Sequence, residues 1–346
     1  MMKRIKNAVC GAVAAGLFAG SMAQPVMAAN VDGPPVFWKF SVWGKSRALT
    51  AGPEHLAARL AEETGGKFQL KIFYGDQLSK AKENLDGMRV NAFEAAIVCN
   101  FYHPAKTPAL MVMSLPFLPI KDFDTSIAVR DALYQHPVTV SDLEKWNAIS
   151  YASTHLPQYE FMGTGEPPKT LADWNGLRVR AGGGVGLAME KLGAVRQSMP
   201  ATEVYTALQR GIADAVSFPF TYAHGAYKLQ EVASWFTGNL KPGTADCPIV
   251  LNKTSYESLP DQYKDLLASL KPEVDEVYRE VYGKADERYL PIFQEALTEV
   301  TYDPATRQEF QNVAGEPIWR QWVSDNQENF NAQGVLDTIL NAGNGS

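Results

Sequence analysis

The chain has 346 residues, 46% of them hydrophobic, so it can bury a sizeable core, and it carries a formal charge of −6 at pH 7. That charge argues against a nucleic-acid partner, which needs a basic face. Three cysteines are too few for a disulfide-built scaffold.

Lys3, Arg4 and Lys6 precede an apolar run over residues 8–23, and Val26-Met27-Ala28 offers small residues at the −3 and −1 positions of a cleavage site. This predicts a signal peptide over residues 1–28 and export to the periplasm. The run is broken by glycines and falls short of the ~20 residues a membrane helix needs. Cys10 has no lipobox ahead of it. The mature remainder exceeds one comfortable core, so two domains are expected. It keeps Cys99 and Cys247. The sequence does not say whether they meet. A bridge between two lobes would restrict opening, so free or merely buried thiols are expected.

Residues 36–42 read as a strand. Over residues 53–64, Leu56, Ala57, Leu60 and Ala61 share a helical face that Gly65-Gly66 ends. Residues 68–73 alternate as a strand, 80–89 read as a helix, and 95–98 as a short buried strand. This β-α-β-α-β order predicts a parallel sheet with crossover helices. Ligands sit at the carboxyl ends of such strands, so the segments after Val42, Phe73 and Val98 are expected cleft walls. Another strand follows at 149–152, and a second unit begins near His155. On the strand around Val179, alternation sends Arg178 and Arg180 to one face. An arginine on a rigid strand presents a fork suited to a carboxylate. A helix opens at Thr202. From Ser258 a long helical run extends towards Val300, with Pro272 and Pro291 expected to interrupt or kink it. Trp319, Trp322, Phe330 and Leu336 give the tail an apolar face. No internal repeat or long linker is visible, so several crossings are expected to join the units.

Residues 174–219 carry Asp173-x-x-Gly176-x-Arg178-x-Arg180 (counting the residue before), then Met199, Glu203-Val204-Tyr205, Ala207-Leu208-Gln209, Gly211 and Asp214. This pattern resembles the ligand-clamping segment of DctP-type solute-binding proteins of TRAP transporters. Tyr74-Gly75, Gln77-Leu78, Leu115-Pro116-Phe117-Leu118 and Leu259-Pro260 extend the resemblance over nearly the whole mature chain. The resemblance implies an α/β, two-lobed periplasmic-binding-protein-like (Venus flytrap) fold with a long helix spanning both lobes. Residues 30–154 plus about 246–285 would form lobe I, and about 155–245 plus 286–340 lobe II. It also implies a small organic acid ligand, a small and a large TRAP membrane subunit as partners, and no cofactor.

By that resemblance Arg180 clamps the ligand carboxylate, while Arg178 stands where Lys is usual and is solvated or structurally paired. Phe218 replaces a common Asn. A frequent second arginine is missing from Gln158-Tyr159-Glu160-Phe161. Trp43, Lys80, Cys99 or Asn100, Tyr159, Glu160 and Tyr222 fall at or near pocket positions. One arginine with Phe218 and Trp43 points to a monocarboxylate with an apolar or aromatic body. A C4-dicarboxylate or a sulfonate stays open, the former with Lys80 taking its second charge.

Gly44-Lys45-Ser46 resembles the tail of a phosphate loop, but Lys39 stands where its first glycine belongs. Gly182-Gly183-Gly184 reads as a tight strand-to-helix turn. No G-x-S-x-G, H-E-x-x-H or C-x-x-C is present, and the five histidines are scattered. A binding protein is therefore expected and not an enzyme. The rivals are an exported enzyme, with Cys99 near His103 as its faint nucleophile, and a ligand receptor feeding a sensor kinase.

Overall fold

The structure, a computed structural model, describes residues 30–345, and the expected signal peptide lies outside them. In chain order the strands are β1 (Val36–Ser41), β2 (Phe68–Phe73), β3 (Ala95–Ile97), β4 (Ala148–Ala152), β5 (Tyr159–Gly163), β6 (Arg178–Arg180), β7 (Val195–Gln197), β8 (Ala215–Pro219), β9 (Trp235–Thr237), β10 (Ile249–Asn252) and β11 (Thr298–Val300). They form two sheets, ordered β2-β1-β3-β10-β4 and β11-β9-β5-β8-β6-β7. β1 runs parallel to β2 and β3 as the β-α-β-α-β pattern requires, and β10 inserts antiparallel beside β3 and β4. The helix expected over 80–89 is shorter, Asn84–Arg89, because residues 80–83 close a turn through Glu83 N and Lys80 O.

The chain passes from the first sheet to the second between β4 and β5, and returns between β9 and β10. A third connection is the helix Asp261–Ala296, 36 residues long. It packs on the helix Ala51–Glu63 beside the first sheet, and on the helix Tyr222–Ala226 and β11 beside the second. It runs without interruption through Pro272 and Pro291, both on its exposed side. Each proline costs about 3 kcal/mol in a helix interior. Burying Tyr263, Leu266, Leu267, Leu270, Val274, Tyr278 and Tyr282 returns ~1.5–3 kcal/mol per large apolar side chain, so packing wins.

A buried polar network ties the two strand crossings together. Asp246 accepts from Arg130 Nε (3.0 Å), Ser153 Oγ (2.9 Å) and Tyr134 OH (2.7 Å). Ser153 lies on one crossing and Asp246 on the other. His155 Nε2 lies 2.9 Å from Asp275 of the long helix, which joins that helix to the same knot.

The cysteine expectation is overturned: Cys99 and Cys247 form a disulfide. Ile97 faces Ile249 across the antiparallel β3–β10 pair. Two residues further along, the cysteines face each other with Cα atoms 3.9 Å apart. The objection to pairing assumed a bridge between lobes, whereas this one staples neighbouring strands of a single sheet.

The glycine triplet is a turn, as read. Gly182 precedes the helix Gly183–Lys191, and Gly183 takes φ 53°. Ser114 explains the close approach: a Cβ on Gly183 would lie 2.4 Å from its Oγ, which accepts from Gly184 N at 3.2 Å.

Candidate ligand-binding site

The carboxyl ends of β1, β3, β6 and β8 converge between the sheets on a cavity of about 340 Å³ of empty space, its mouth included. Walls from the first sheet's side are Trp43, Arg47, Phe101, Tyr102 and the disulfide. From the second come Tyr159, Arg180, Phe218, Tyr222 and Tyr227. Tyr102 bridges the two sides, its OH accepting from Ala201 N at 2.9 Å.

Arg180 is 2% exposed. Its Nε and Nη2 donate to Met199 O at 3.3 and 3.1 Å, and Nη1 donates to Ser217 O at 3.1 Å. These bonds aim the fork and use three of its five N–H groups. Its guanidinium carbon lies 4.9 Å from the Phe218 ring centre and 5.9 Å from that of Phe101. The flat cation thus lies within cation–π reach of two aromatic rings. No carboxylate among the described residues forms an ion pair with it. Arg178, on the same strand, binds Asp214 through Nε and Nη2 at 2.9 and 2.5 Å, and so is structurally paired.

Burial pushes the phenols of Tyr102, Tyr159 and Tyr222 above their ordinary range. All three remain neutral, able to donate to a ligand oxygen. Phe218 stacks on Tyr227 with ring centres 5.2 Å apart, and Trp43 meets Tyr102 edge-on at 5.7 Å. The walls are therefore flat and apolar, with charge concentrated at arginine.

Of the nine residues singled out from sequence, Trp43, Cys99, Tyr159, Arg180, Phe218 and Tyr222 line this cavity. Three do not. Lys80 is exposed outside it. Asn100 is buried, its amide donating to Leu110 O at 2.8 Å and its oxygen accepting from Phe101 N. Glu160 follows Tyr159 on β5, so alternation sends it to the far face. There it accepts from Thr237 Oγ1, Leu240 N and Lys241 N at 2.5, 3.2 and 3.1 Å, while burial pushes its carboxyl up to about 8.

Sequence reading did not single out Arg47, Phe101, Tyr102 or Tyr227. Arg47 was findable, since the segment after Val42 was an expected cleft wall and Arg47 lies within it. Phe101 sits in the loop after β3, another expected wall. Tyr227 ends a short helix and carries no periodic signal. Of the histidines, His103 and His224 are buried outside the cavity, and burial pulls them down to about 4 and about 3. Among the described residues no cluster of His, Cys, Asp and Glu is placed to hold a metal ion.

Two α/β units joined by three connections around a cavity with a buried, carboxylate-free arginine define a two-lobed solute-binding protein. The model of the bacterial extracellular solute-binding proteins, family 7 (DctP), matches residues 41–326, and the chain belongs to that family. It is 25% identical over 324 residues to a monocarboxylate 2-oxoacid-binding periplasmic protein of Nostoc sp., covering 86% of each chain. Its fold is similar to a marine metagenome TRAP solute-binding protein specific for aromatic acid ligands, solved with 3-hydroxybenzoate. That match has a TM-score of 0.80 at 22% identity and covers 90% of this chain and 99% of the other. A TRAP solute-binding protein from Rhodoferax ferrireducens, solved with copurified benzoate, gives a TM-score of 0.78 at 20% identity, covering 90% and 98%.

Proposed function

We propose that this protein is the extracytoplasmic receptor of a TRAP transporter for a monocarboxylate with an aromatic or otherwise flat apolar body. The observation that carries this reading is Arg180: buried, aimed by two carbonyls, paired with no carboxylate among the described residues, and flanked by Phe101 and Phe218. A ligand carboxylate supplies the missing charge, and the ligand body slides between rings. The Nostoc relative's 2-oxoacids and the benzoate and 3-hydroxybenzoate of the two structural neighbours fit the same chemistry. Of the nine sequence candidates, Trp43, Cys99, Tyr159, Arg180, Phe218 and Tyr222 make this site. Lys80, Asn100 and Glu160 are left out of it.

The mechanism is closure. Lobe I, residues 30–154 plus about 246–285, brings Trp43 and the disulfide; lobe II, about 155–245 plus 286–340, brings Arg180 and Phe218. A ligand touching both sides favours the closed state. Moving the open:closed ratio from 1:99 to 99:1 takes a differential of ~5.5 kcal/mol, which one buried bidentate pair and several ring contacts can supply. The closed form then presents the acid to the small and large membrane subunits. The enzyme rival loses its one nucleophile, because Cys99 is held in a disulfide and offers no thiolate.

The test is a thermal-shift screen of refolded, ligand-stripped mature protein against benzoate, short 2-oxoacids, succinate and a sulfonate, repeated with Arg180→Ala. A ligand at 100 times its Kd stabilises by ~2.7 kcal/mol. A rise with a monocarboxylate that disappears in Arg180→Ala is the expected result. A rise confined to succinate or the sulfonate would overturn the ligand class.

A further inference from the structure

Arg47 stands on the loop after β1, on the wall facing Arg180. Its Nη1 donates to Trp43 O at 2.8 Å and Lys45 O at 2.7 Å, which fixes the guanidinium against its own loop. Its Nη2 is buried and has no hydrogen-bond partner among the described residues. The hydroxyl of Tyr227, from the opposite side, is likewise buried and unpartnered. The two groups are neighbours. A Cβ built on Gly44 would lie 3.0 Å from Arg47 Nη1 and 3.3 Å from the Tyr227 oxygen. The Arg47 guanidinium carbon is 5.9 Å from the Tyr227 ring centre and 5.6 Å from that of Trp43.

Buried polar atoms in native proteins are nearly always bonded, so two orphans at one spot call for a shared explanation. Nearby protein groups do not supply it. Glu54, the acid closest along the chain, already accepts from Ser46 Oγ, Thr50 Oγ1 and Tyr74 OH at 2.8, 2.6 and 2.7 Å. Both arginines act on one cavity: the Tyr102 phenol, raised by burial, is drawn back by Arg180 and by Arg47. The sequence reading counted a single arginine here, and the structure adds a second.

We propose that Arg47 and Tyr227 form a second recognition point, selecting acids that carry an acceptor oxygen at the end remote from the carboxylate. This rests on the monocarboxylate reading and sharpens it: the body of the ligand is flat, and its far end is oxygenated. Arg47 Nη2 donates to that oxygen, and the Tyr227 hydroxyl donates to or accepts from the same group. Because Arg47 and Tyr227 come from opposite sides of the cleft, an oxygenated ligand also draws those sides together, and an unsubstituted one leaves both orphans dry.

The test is isothermal titration of the mature protein with benzoate, 3-hydroxybenzoate and isophthalate, in wild type, Arg47→Met and Tyr227→Phe. Wild type is expected to prefer at least one oxygenated acid over benzoate by about tenfold or more, as a hydrogen bond to a charged group provides. Preference for 3-hydroxybenzoate identifies a neutral acceptor and keeps the monocarboxylate reading, whereas preference for isophthalate keeps the second recognition point and replaces that reading with an aromatic dicarboxylate. Arg47→Met is expected to bring the ratio close to one. Tyr227→Phe removes a single oxygen, so it keeps the proposal testable should Arg47→Met fail to fold. Benzoate binding as tightly as both oxygenated acids would overturn the second recognition point and leave the monocarboxylate reading intact. So would a ratio that neither variant moves. No heat with any of the three would overturn the aromatic-acid reading itself, and the subsite with it.

Discussion

Arg180 holds a charge for which the described residues provide no counter-charge, and the form of its neighbours says what must arrive. Two carbonyls anchor it along one edge, leaving a planar fork towards the cavity. A lysine would keep the charge but lose the fork and the guanidinium's contact with the Phe218 ring. Arg180→Lys is therefore expected to weaken benzoate binding by roughly 10–100-fold, about 1.4–2.7 kcal/mol, by isothermal titration. Binding equal to wild type would mean that a point charge suffices. The strand periodicity and the family-like run placed Arg180 and Phe218 in advance, because both are set by local chain order. Lys80 and Glu160 escaped that logic. Lys80 depended on where a helix starts, and Glu160 on which face of β5 looks at the cleft, a matter settled by tertiary packing.

At the scale of elements, the first sheet was readable because apolar alternation and glycine stops are local signals. The insertion of β10 between β3 and β4 was not, since it pairs residues about 150 positions apart. That pairing is what brings Cys99 to Cys247, a sequence separation of 148. Breaking so long a loop with Cys99→Ala and Cys247→Ala together is expected to cost about 2–5 kcal/mol, read from urea melts. A loss below a few tenths of a kcal/mol would contradict a formed bridge. The long helix offers the opposite case. Gly283 lies exposed in its interior, and a Cβ there meets nothing within 4 Å. Gly283→Ala should stabilise by about 1 kcal/mol. A fall in Tm would mean that glycine bends the helix between the two sheets.

Across the whole molecule, three connections and one buried knot of Asp246, Arg130, Ser153, His155 and Asp275 hold the two sheets in register. None of that knot was visible in sequence, for its members are scattered from Arg130 to Asp275 and share no spacing. The buried acid and bases on either side of the cleft set an acid limit and an alkaline limit to stability. His103 and His224 are pulled from 6.5 down to about 4 and about 3 by burial. Above pH 6.5 both are neutral folded or unfolded. As pH falls below it, only the unfolded chain takes up protons, so stability is lost. Glu160 works the other way, pushed from 4.5 up to about 8 by burial. Its neutral form favours the fold below pH 4.5, and that contribution disappears as pH rises through about 8. Stability should therefore peak between these limbs, near pH 6.5, with slopes of at most about 1.4 kcal/mol per pH unit for each group. The carboxylates held low by ion pairs, such as Asp214 and Asp275, act only at lower pH and do not blur the first drop. Urea melts at half-unit steps from pH 4.5 to 8.5 test this. Glu160→Gln, whose amide oxygen still accepts from Leu240 and Lys241, should flatten the alkaline limb and, because Glu160 opposes the histidines from pH 4.5 upward, steepen the acid limb. His224→Phe, set among Phe218, Phe220 and Phe293, should shallow the acid limb alone. A wild-type profile that is flat from pH 5 to 8 would mean that water reaches these groups and that burial does not govern them.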